Sequence, residues 1–160
     1  MDADGAAWVW SFGCTPRTVL DNVTAVAAGD SGHCLFLRGD GTAWSMGFNL
    51  HGQLGNGTRM TNYTTPSQVS GLTGVAAIAA GDWHSMFLKG DGTLRTCGWA
   101  QDGRLGLSDD ELAAAGGDLL YGKTVPKQVG LTDDAAIGGG QIHSVAVRTD
   151  GTVWAWGHNT

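Results

Sequence analysis

The sequence predicts an all-β fold: about three tandem repeats, each a small antiparallel sheet of four short strands. Two observations lead there. Glycine supplies 27 of the 160 residues while proline supplies three, and glycine at that level without a collagen period marks many tight turns. Many turns in a short chain imply many short strands. The second observation is a pattern that recurs along the chain around the triplet Asp-Gly-Thr at Asp40, Asp91 and Asp150.

A repeat fixes the architecture before any single residue does. Gly81-Asp-Trp-His84-Ser-Met-Phe-Leu-Lys-Gly-Asp91-Gly92-Thr-Leu-Arg-Thr-Cys-Gly98 is matched by Gly140-Gln-Ile-His143-Ser-Val-Ala-Val-Arg-Thr-Asp150-Gly151-Thr-Val-Trp-Ala-Trp-Gly157. An earlier copy, from Gly29 through His33, Asp40 and Gly41 to Gly47, has one extra residue before its histidine. A partial copy, Asp4-Gly5-Ala-Ala-Trp8-Val-Trp10-Ser-Phe-Gly13, opens the chain. A second block reads Gly52-Gln-Leu54-Gly55 and Gly103-Arg-Leu105-Gly106. A third reads Pro66-Ser-Gln-Val69 and Pro126-Lys-Gln-Val129, each followed by Gly-Leu-Thr.

The aligned glycines Gly13, Gly47, Gly98 and Gly157 are 34, 51 and 59 residues apart. The segments are accordingly 1–47 as a degenerate first repeat, 48–98 as the second and 99–157 as the third. Residues 158–160 begin a truncated further one. The third is longest because of residues 108–123. There Ser108-Asp-Asp-Glu111 reads as a capping box before Leu112-Ala-Ala-Ala, with Gly116-Gly117 as the stop, so a helix of one to two turns is expected in an outer loop.

Within each repeat the strands follow from local chemistry. Ser85–Leu88 and Thr93–Cys97 flank Asp91-Gly92, the signal for a two-residue type I′ hairpin. Val75–Ala80, rich in alanine, suits a strand at a narrow inner taper. Gln68-Val69 is the short fourth strand. In an antiparallel meander alternate turns lie at opposite ends of the sheet. Asp82, Trp83, Trp99 and Ala100 are therefore expected at one face, together with Phe48, Asn49, Asp30, Gln141 and Ile142 from the other repeats. The Asp91-Gly92 turn is expected at the opposite face.

The order Gly-x-x-His-Ser, Asp-Gly-Thr-x-Trp-x-x-Gly, Gly-Gln-Leu-Gly resembles the regulator of chromosome condensation repeat and covers nearly the whole chain. The resemblance implies a β-propeller with four-stranded blades, here a segment of about three blades. Either it is an incomplete ring, a fragment of a longer protein, or it is half of a ring of about six blades closed by a second copy through Thr152–Trp156. Members of the family include a nucleotide exchange factor for a small GTPase, β-lactamase inhibitors, a plant light sensor and partners of ubiquitin ligase domains. The resemblance thus implies contact with another protein through loops on one propeller face. The light sensor's tryptophan directly after the glycine is replaced here by Asp82, Asp30 and Gln141, which argues against photoreception.

The remaining candidates read as structural. His33, His84 and His143 recur once per repeat, and equivalent positions in successive blades stand too far apart to share a metal at about 2 Å. Each is expected to bond within its own blade. Gly47, Gly98 and Gly157 hold turn positions. Ser85 and Ser144 adjoin histidines, but adjacent strand residues point to opposite faces, so no nucleophile–base pair is expected there. Asp2-x-Asp4-Gly5 lacks the later ligands of a calcium loop. Trp8, Trp10, Trp44, Trp154 and Trp156 are expected to pack between blades. Cys14, Cys34 and Cys97 form no closely spaced pair, so neither a disulfide framework nor a zinc site is expected.

The net charge of −6, with nine Lys plus Arg against 15 Asp plus Glu and no basic cluster, disfavours direct nucleic-acid binding. No apolar run approaches the roughly 20 residues of a membrane span. Met1-Asp2-Ala3-Asp4-Gly5 lacks the features of a signal peptide, and the default compartment is the cytoplasm. The functional expectation is a non-catalytic protein-binding scaffold with no cofactor. Nucleotide exchange on a small GTPase and inhibition of an enzyme are the alternatives that the resemblance supplies.

Overall fold

The Asp-Gly-Thr triplets set the fold's local geometry. Asp40 Oδ1 accepts from the Thr42 amide at 2.9 Å and its hydroxyl at 2.6 Å. The amide of Gly41, at φ +76°, donates to the Arg38 carbonyl at 3.0 Å, and the Arg38 amide donates to the Thr42 carbonyl at 3.0 Å. The turns at Asp91 and Asp150 repeat this, with Gly92 and Gly151 at +78° and +85°. Only the glycine of each pair has positive φ. The loop is therefore a three-residue turn closed by a left-handed glycine, not the expected two-residue type I′ turn. The aspartate's hydrogen bonds to threonine hold it there, and the threonine is the signal that separates the two turn types.

The computed structural model describes residues 5–9, 17–113 and 122–159. Strands β1 (Ala7–Val9) and β2 (Arg17–Leu20) pair with each other. Strands β3 (Val23–Gly29), β4 (His33–Arg38), β5 (Ala43–Gly47) and β6 (Asn62–Gln68) form one sheet in that order. Strands β7 (Val75–Ala80), β8 (His84–Lys89), β9 (Leu94–Gly98) and β10 (Lys123–Gln128) form the next, and β11 (Asp134–Gly139), β12 (His143–Arg148) and β13 (Val153–Gly157) the last. All pairings are antiparallel between chain neighbours, as in propeller blades. The fourth strand starts six residues before the expected Gln68, and each complete sheet straddles the repeat cuts at Gly47 and Gly98.

The core is a series of layers between sheets. Leu35, Leu37, Val69, Val75, Phe87 and Cys97 fill the layer between the first two large sheets. Ala79, Met86, Leu94, Val129 and Ala146 fill the next. Ala7, Val23, Phe36 and Met46 pack the small leading sheet onto the first. The inner strands lie side by side, β3 on β7 and β7 on β11. A Cβ on Gly139 would stand 2.7 Å from the Ala80 carbonyl, which is why small residues line this axis.

The outer loop contains α1 (Asp109–Ala113). Its capping box forms as expected: the Glu111 carboxylate accepts from the Ser108 amide at 2.7 Å, and the Ser108 hydroxyl accepts from the Glu111 amide at 3.3 Å. Leu112 packs under it against Ala100, Leu105 and Leu107. Asp2, Asp4, Trp10, Gly13, Cys14 and Gly116-Gly117 lie outside the described residues. Trp8 and Trp154 are 43% and 47% exposed; neither is enclosed between blades as expected, whereas Trp44 and Trp156 are half-buried.

Candidate protein-binding face

Two kinds of residue build one end of the blades: a buried row that bolts sheet to sheet, and an aromatic group above it. The bolts come first. His33 Nε2 lies 3.2 Å from Ser85 Oγ, and His84 Nε2 lies 2.8 Å from Ser144 Oγ. Each serine donates its only proton to a loop carbonyl, Ser85 to Gln53 at 2.6 Å and Ser144 to Arg104 at 2.9 Å. Each hydroxyl must therefore accept from the histidine, which fixes a proton on Nε2 of each ring. The sequence suggested bonds within each histidine's own blade; His33 and His84 instead bond across to the next sheet.

The same carbonyls take a second donor. The Cys97 thiol reaches the Gln53 oxygen at 3.7 Å and the Trp156 indole reaches the Arg104 oxygen at 3.0 Å. The Gly-x-Leu-Gly loop of each blade is thus gripped by the next. Within its own blade the loop is tied by hydroxyls, Ser45 to the Leu54 carbonyl at 2.6 Å and Thr96 to the Leu105 carbonyl at 2.7 Å. Burial pushes the rings down, His33 to about 4 and His84 to about 3. His143 is exposed. No group of three or more His, Cys, Asp or Glu side chains able to hold a metal occurs among the described residues. With hydroxyl protons committed to carbonyls and histidines donating, neither Ser85 nor Ser144 has a base to activate it.

The aromatic group sits on the loops after β5, β7 and β9. Trp83 and Trp99 meet edge to face at 5.9 Å, and Phe48 meets Trp83 edge to face at 5.4 Å. His51 stacks on Trp99 at 4.8 Å and abuts Trp83 at 5.2 Å. The Arg104 guanidinium lies 4.5 Å from the Trp99 ring centre and pairs with Asp102 at 2.7 Å. Such contacts are worth about 0.5–1.5 kcal/mol for aromatic pairs beyond their area. Burial, then the charges of Arg104 and Arg59, lower the His51 pKa, so its ring is neutral at pH 7. Leu50 and Met60, on the same loop as Phe48, are exposed at 55% and 77%.

Of the residues singled out in the sequence, Phe48, Trp83 and Trp99 meet in this group, all half-buried. Asn49 and Ala100 lie beneath it, buried. The Asn49 amide is spent on the loop itself, donating to the Thr58 carbonyl at 3.1 Å and the Met60 carbonyl at 3.2 Å and accepting from the Leu54 amide at 2.9 Å. Asp30, Asp82 and Gln141 stand apart from the aromatic group, along a cleft of about 190 Å³ between the inner strands. There Ser31 Oγ donates to Asp82 Oδ1 at 2.7 Å and the Asp82 amide to the Gln141 carbonyl at 3.2 Å. Ile142 is half-buried, its carbonyl accepting from the His158 amide at 3.1 Å. His51 and Arg104 were missed. Arg104 had a signal: it replaces Gln53 in the aligned Gly-x-Leu-Gly block.

Known proteins share this repeat pattern and this fold. A family model described as regulator of chromosome condensation (RCC1) repeat matches residues 40–88, and a second of the same description matches 23–53, 75–104 and 135–160. The E3 ubiquitin-protein ligase HERC2 of Homo sapiens is 35% identical over 98% of this chain, which spans 4% of that protein. The guanine nucleotide exchange factor SRM1 of Saccharomyces cerevisiae is 31% identical over 86% of this chain, which spans 30% of it. Prp20p from Saccharomyces cerevisiae, a structure reported with binding to Gsp1p and histones, superposes with a TM-score of 0.76 at 29% identity, covering 89% of this chain and 35% of that one. The chain therefore spans about a third or less of these relatives.

Proposed function

Because the chain belongs to the regulator of chromosome condensation repeat family, we propose that it is a non-catalytic propeller scaffold that binds another protein through the loops of one face. The observation that carries this reading is the Phe48–His51–Trp83–Trp99 group. Loop aromatics held half-exposed by mutual stacking are rigid anchors, and such residues dominate the energy of protein interfaces. Leu50 and Met60 extend the apolar surface beside them.

A photoreactive residue in place of exposed Leu50 tests the reading. The expected result is a crosslinked protein whose affinity for the purified chain falls at least about tenfold in Trp83→Ala and Trp99→Ala, about 1.4 kcal/mol. A probe at Asp91, at the other end of the sheets, should give no such product. Equal crosslinking at both ends, or unchanged affinity in the variants, would overturn it.

The 31% identity to a guanine nucleotide exchange factor favours a second reading, in which the partner is a small GTPase. That reading requires the chain to accelerate release of bound guanine nucleotide. Binding without acceleration would leave the scaffold reading standing and remove this one.

A further inference from the structure

The inner strands β3, β7 and β11 begin in equivalent seats. The amides of Val23, Val75 and Asp134 each donate to the carbonyl of the glycine in an Asp-Gly pair: Gly5 at 2.8 Å, Gly41 at 3.0 Å and Gly92 at 3.1 Å. Each lies opposite a basic residue of the next strand, Arg38, Lys89 and Arg148. All three are buried, Asp134 to 4% exposure. Val23 packs between the small leading sheet and the first large one, and Val75 between the first and second large sheets. The same register sends Asp134 into the layer between the second and third, otherwise filled by Met86, Leu94, Val129 and Ala146. One of three equivalent valine seats thus holds a carboxyl.

Nothing offsets that burial. Neither carboxylate oxygen of Asp134 has a hydrogen-bond partner among the described residues. Arg148, directly opposite, is engaged elsewhere: its Nε donates to the Thr132 carbonyl at 2.9 Å and its Nη2 reaches Asp133 Oδ2 at 3.4 Å. On the turn of the facing sheet, Lys89 and Asp91 pair with each other at 2.7 Å. Asp150, beyond Arg148, is held by Thr152. Burial pushes the Asp134 carboxyl above the ordinary carboxylate range, Arg148 draws it back and Asp133 adds to the rise. An unpaired carboxylate in an apolar layer is far less stable than the valine of the equivalent seats.

We propose that Asp134 makes the joint between the second and third large sheets a latch controlled by its own ionisation. Protonated, the carboxyl stays in the layer and the joint is shut. Ionised, it turns toward Arg148, which leaves Asp133 and Thr132, and the layer loosens at that end. As pH rises from the ordinary carboxylate value to the raised one, the unfolded chain gives up the proton first. The contribution of Asp134 to stability is therefore present in acid and lost toward neutral pH. Its sign is opposite to that of the two buried histidines. The same joint carries the Ser144 and Trp156 bonds to the Arg104 carbonyl, so the latch bears on the loop beside Trp99. It needs no partner protein, and it stands or falls separately from the proposed binding function.

The experiment is amide hydrogen exchange on the full chain, with Asp134→Asn and Asp134→Val each compared with the parent at about pH 7.5 and about pH 4. At the higher pH, exchange across β11 and β12 should be at least about tenfold slower in both variants, with β3 and β4 unchanged. At the lower pH the parent carries a neutral acid, and Asp134→Asn should come within about twofold of it. Asp134→Val should keep part of its advantage there, because valine removes the polar group as well as the charge. Asp134→Asn decides the matter by itself if the valine variant packs poorly. Exchange equal in the parent and Asp134→Asn at neutral pH, or a slowing undiminished in acid, overturns the proposal.

Discussion

The Nε2 atom of His84 lies 2.8 Å from Oγ of Ser144, 60 residues further along the chain and one sheet away. His33 and Ser85 stand in the same relation, 52 residues apart. The serine passes its own proton to a carbonyl of the loop it faces. One Gly-x-x-His-Ser motif therefore supplies both halves of the link. Its histidine reaches forward to the next blade and its serine is reached from the blade before.

Replacing His84 by alanine should destabilise the protein by about 3 kcal/mol, combining a lost buried hydrogen bond with a cavity under Gly81. Ser144→Ala should cost about 1–2 kcal/mol, since it leaves the His84 donor and the Arg104 carbonyl short of a partner. Urea unfolding of both single variants and the double variant gives the coupling between them. A coupling near zero would show that the two side chains are neighbours without being a bolt.

Both histidines also predict an acid limit. Their folded values, about 4 for His33 and about 3 for His84, lie below the ordinary 6.5. Above pH 6.5 both folded and unfolded chains hold neutral rings, and stability is flat in pH on this account. Below pH 6.5 the unfolded chain takes up protons that the folded one refuses. Stability should then fall by up to about 1.4 kcal/mol per pH unit for each ring until the folded values are reached. The carboxylates of Asp40 and Asp150, lowered by their threonine bonds, act in the same direction but only around pH 4 and below. Urea midpoints between pH 7.5 and 4.5 measure the slope, to which the lowered His51 also contributes, and His84→Gln should reduce it by about a third to a half.

These links bear on what the sequence can disclose. The strands, their order and the glycines between them are written in local patterns, so the four-stranded repeats were legible from those patterns, and the resemblance supplied the propeller. The turn type was misread because the deciding contact runs from Asp91 to the hydroxyl and amide of Thr93, inside the motif but outside the Asp-Gly pair. The histidine's partner was misread for a different reason. Adjacent strand residues do point apart, so His84 cannot reach Ser85. Which side chain enters from the next sheet depends on blade packing, which no window of one repeat contains.

Glycine at the end of each third strand is a geometric demand. Gly98 sits at φ +107°, and a Cβ there would lie 2.4 Å from the Trp83 carbonyl oxygen and 2.7 Å from the His84 Cα. Gly98→Ala must therefore move backbone directly under the aromatic face, and a loss of more than about 3 kcal/mol is expected. Gly71→Ala is the control: φ is +68° but no atom lies within 4 Å, so only the left-handed penalty of about 1 kcal/mol applies. Thermal melts of the two variants should differ in that order. Gly98→Ala should also disturb the near-ultraviolet circular dichroism of Trp83 and Trp99, because the strained carbonyl belongs to Trp83.

Cys97 offers a way to watch one interface open. It is fully buried in the layer between the first two large sheets, beside the Gln53 carbonyl that Ser85 also grips. Burial pushes its thiol well above the ordinary cysteine range, so the folded protein should not be alkylated there at pH 8. Modification has to wait for the layer to part. In repeat proteins stability is a sum of unit and nearest-neighbour terms. His33→Ala, which cuts the bolt across this layer, should therefore speed Cys97 alkylation more than His84→Ala, which cuts the next one. Iodoacetamide kinetics followed by mass spectrometry, in a Cys14→Ser background, make the comparison. Equal acceleration by both variants would mean that the blades open as a single cooperative unit and that the bolts act through global stability alone.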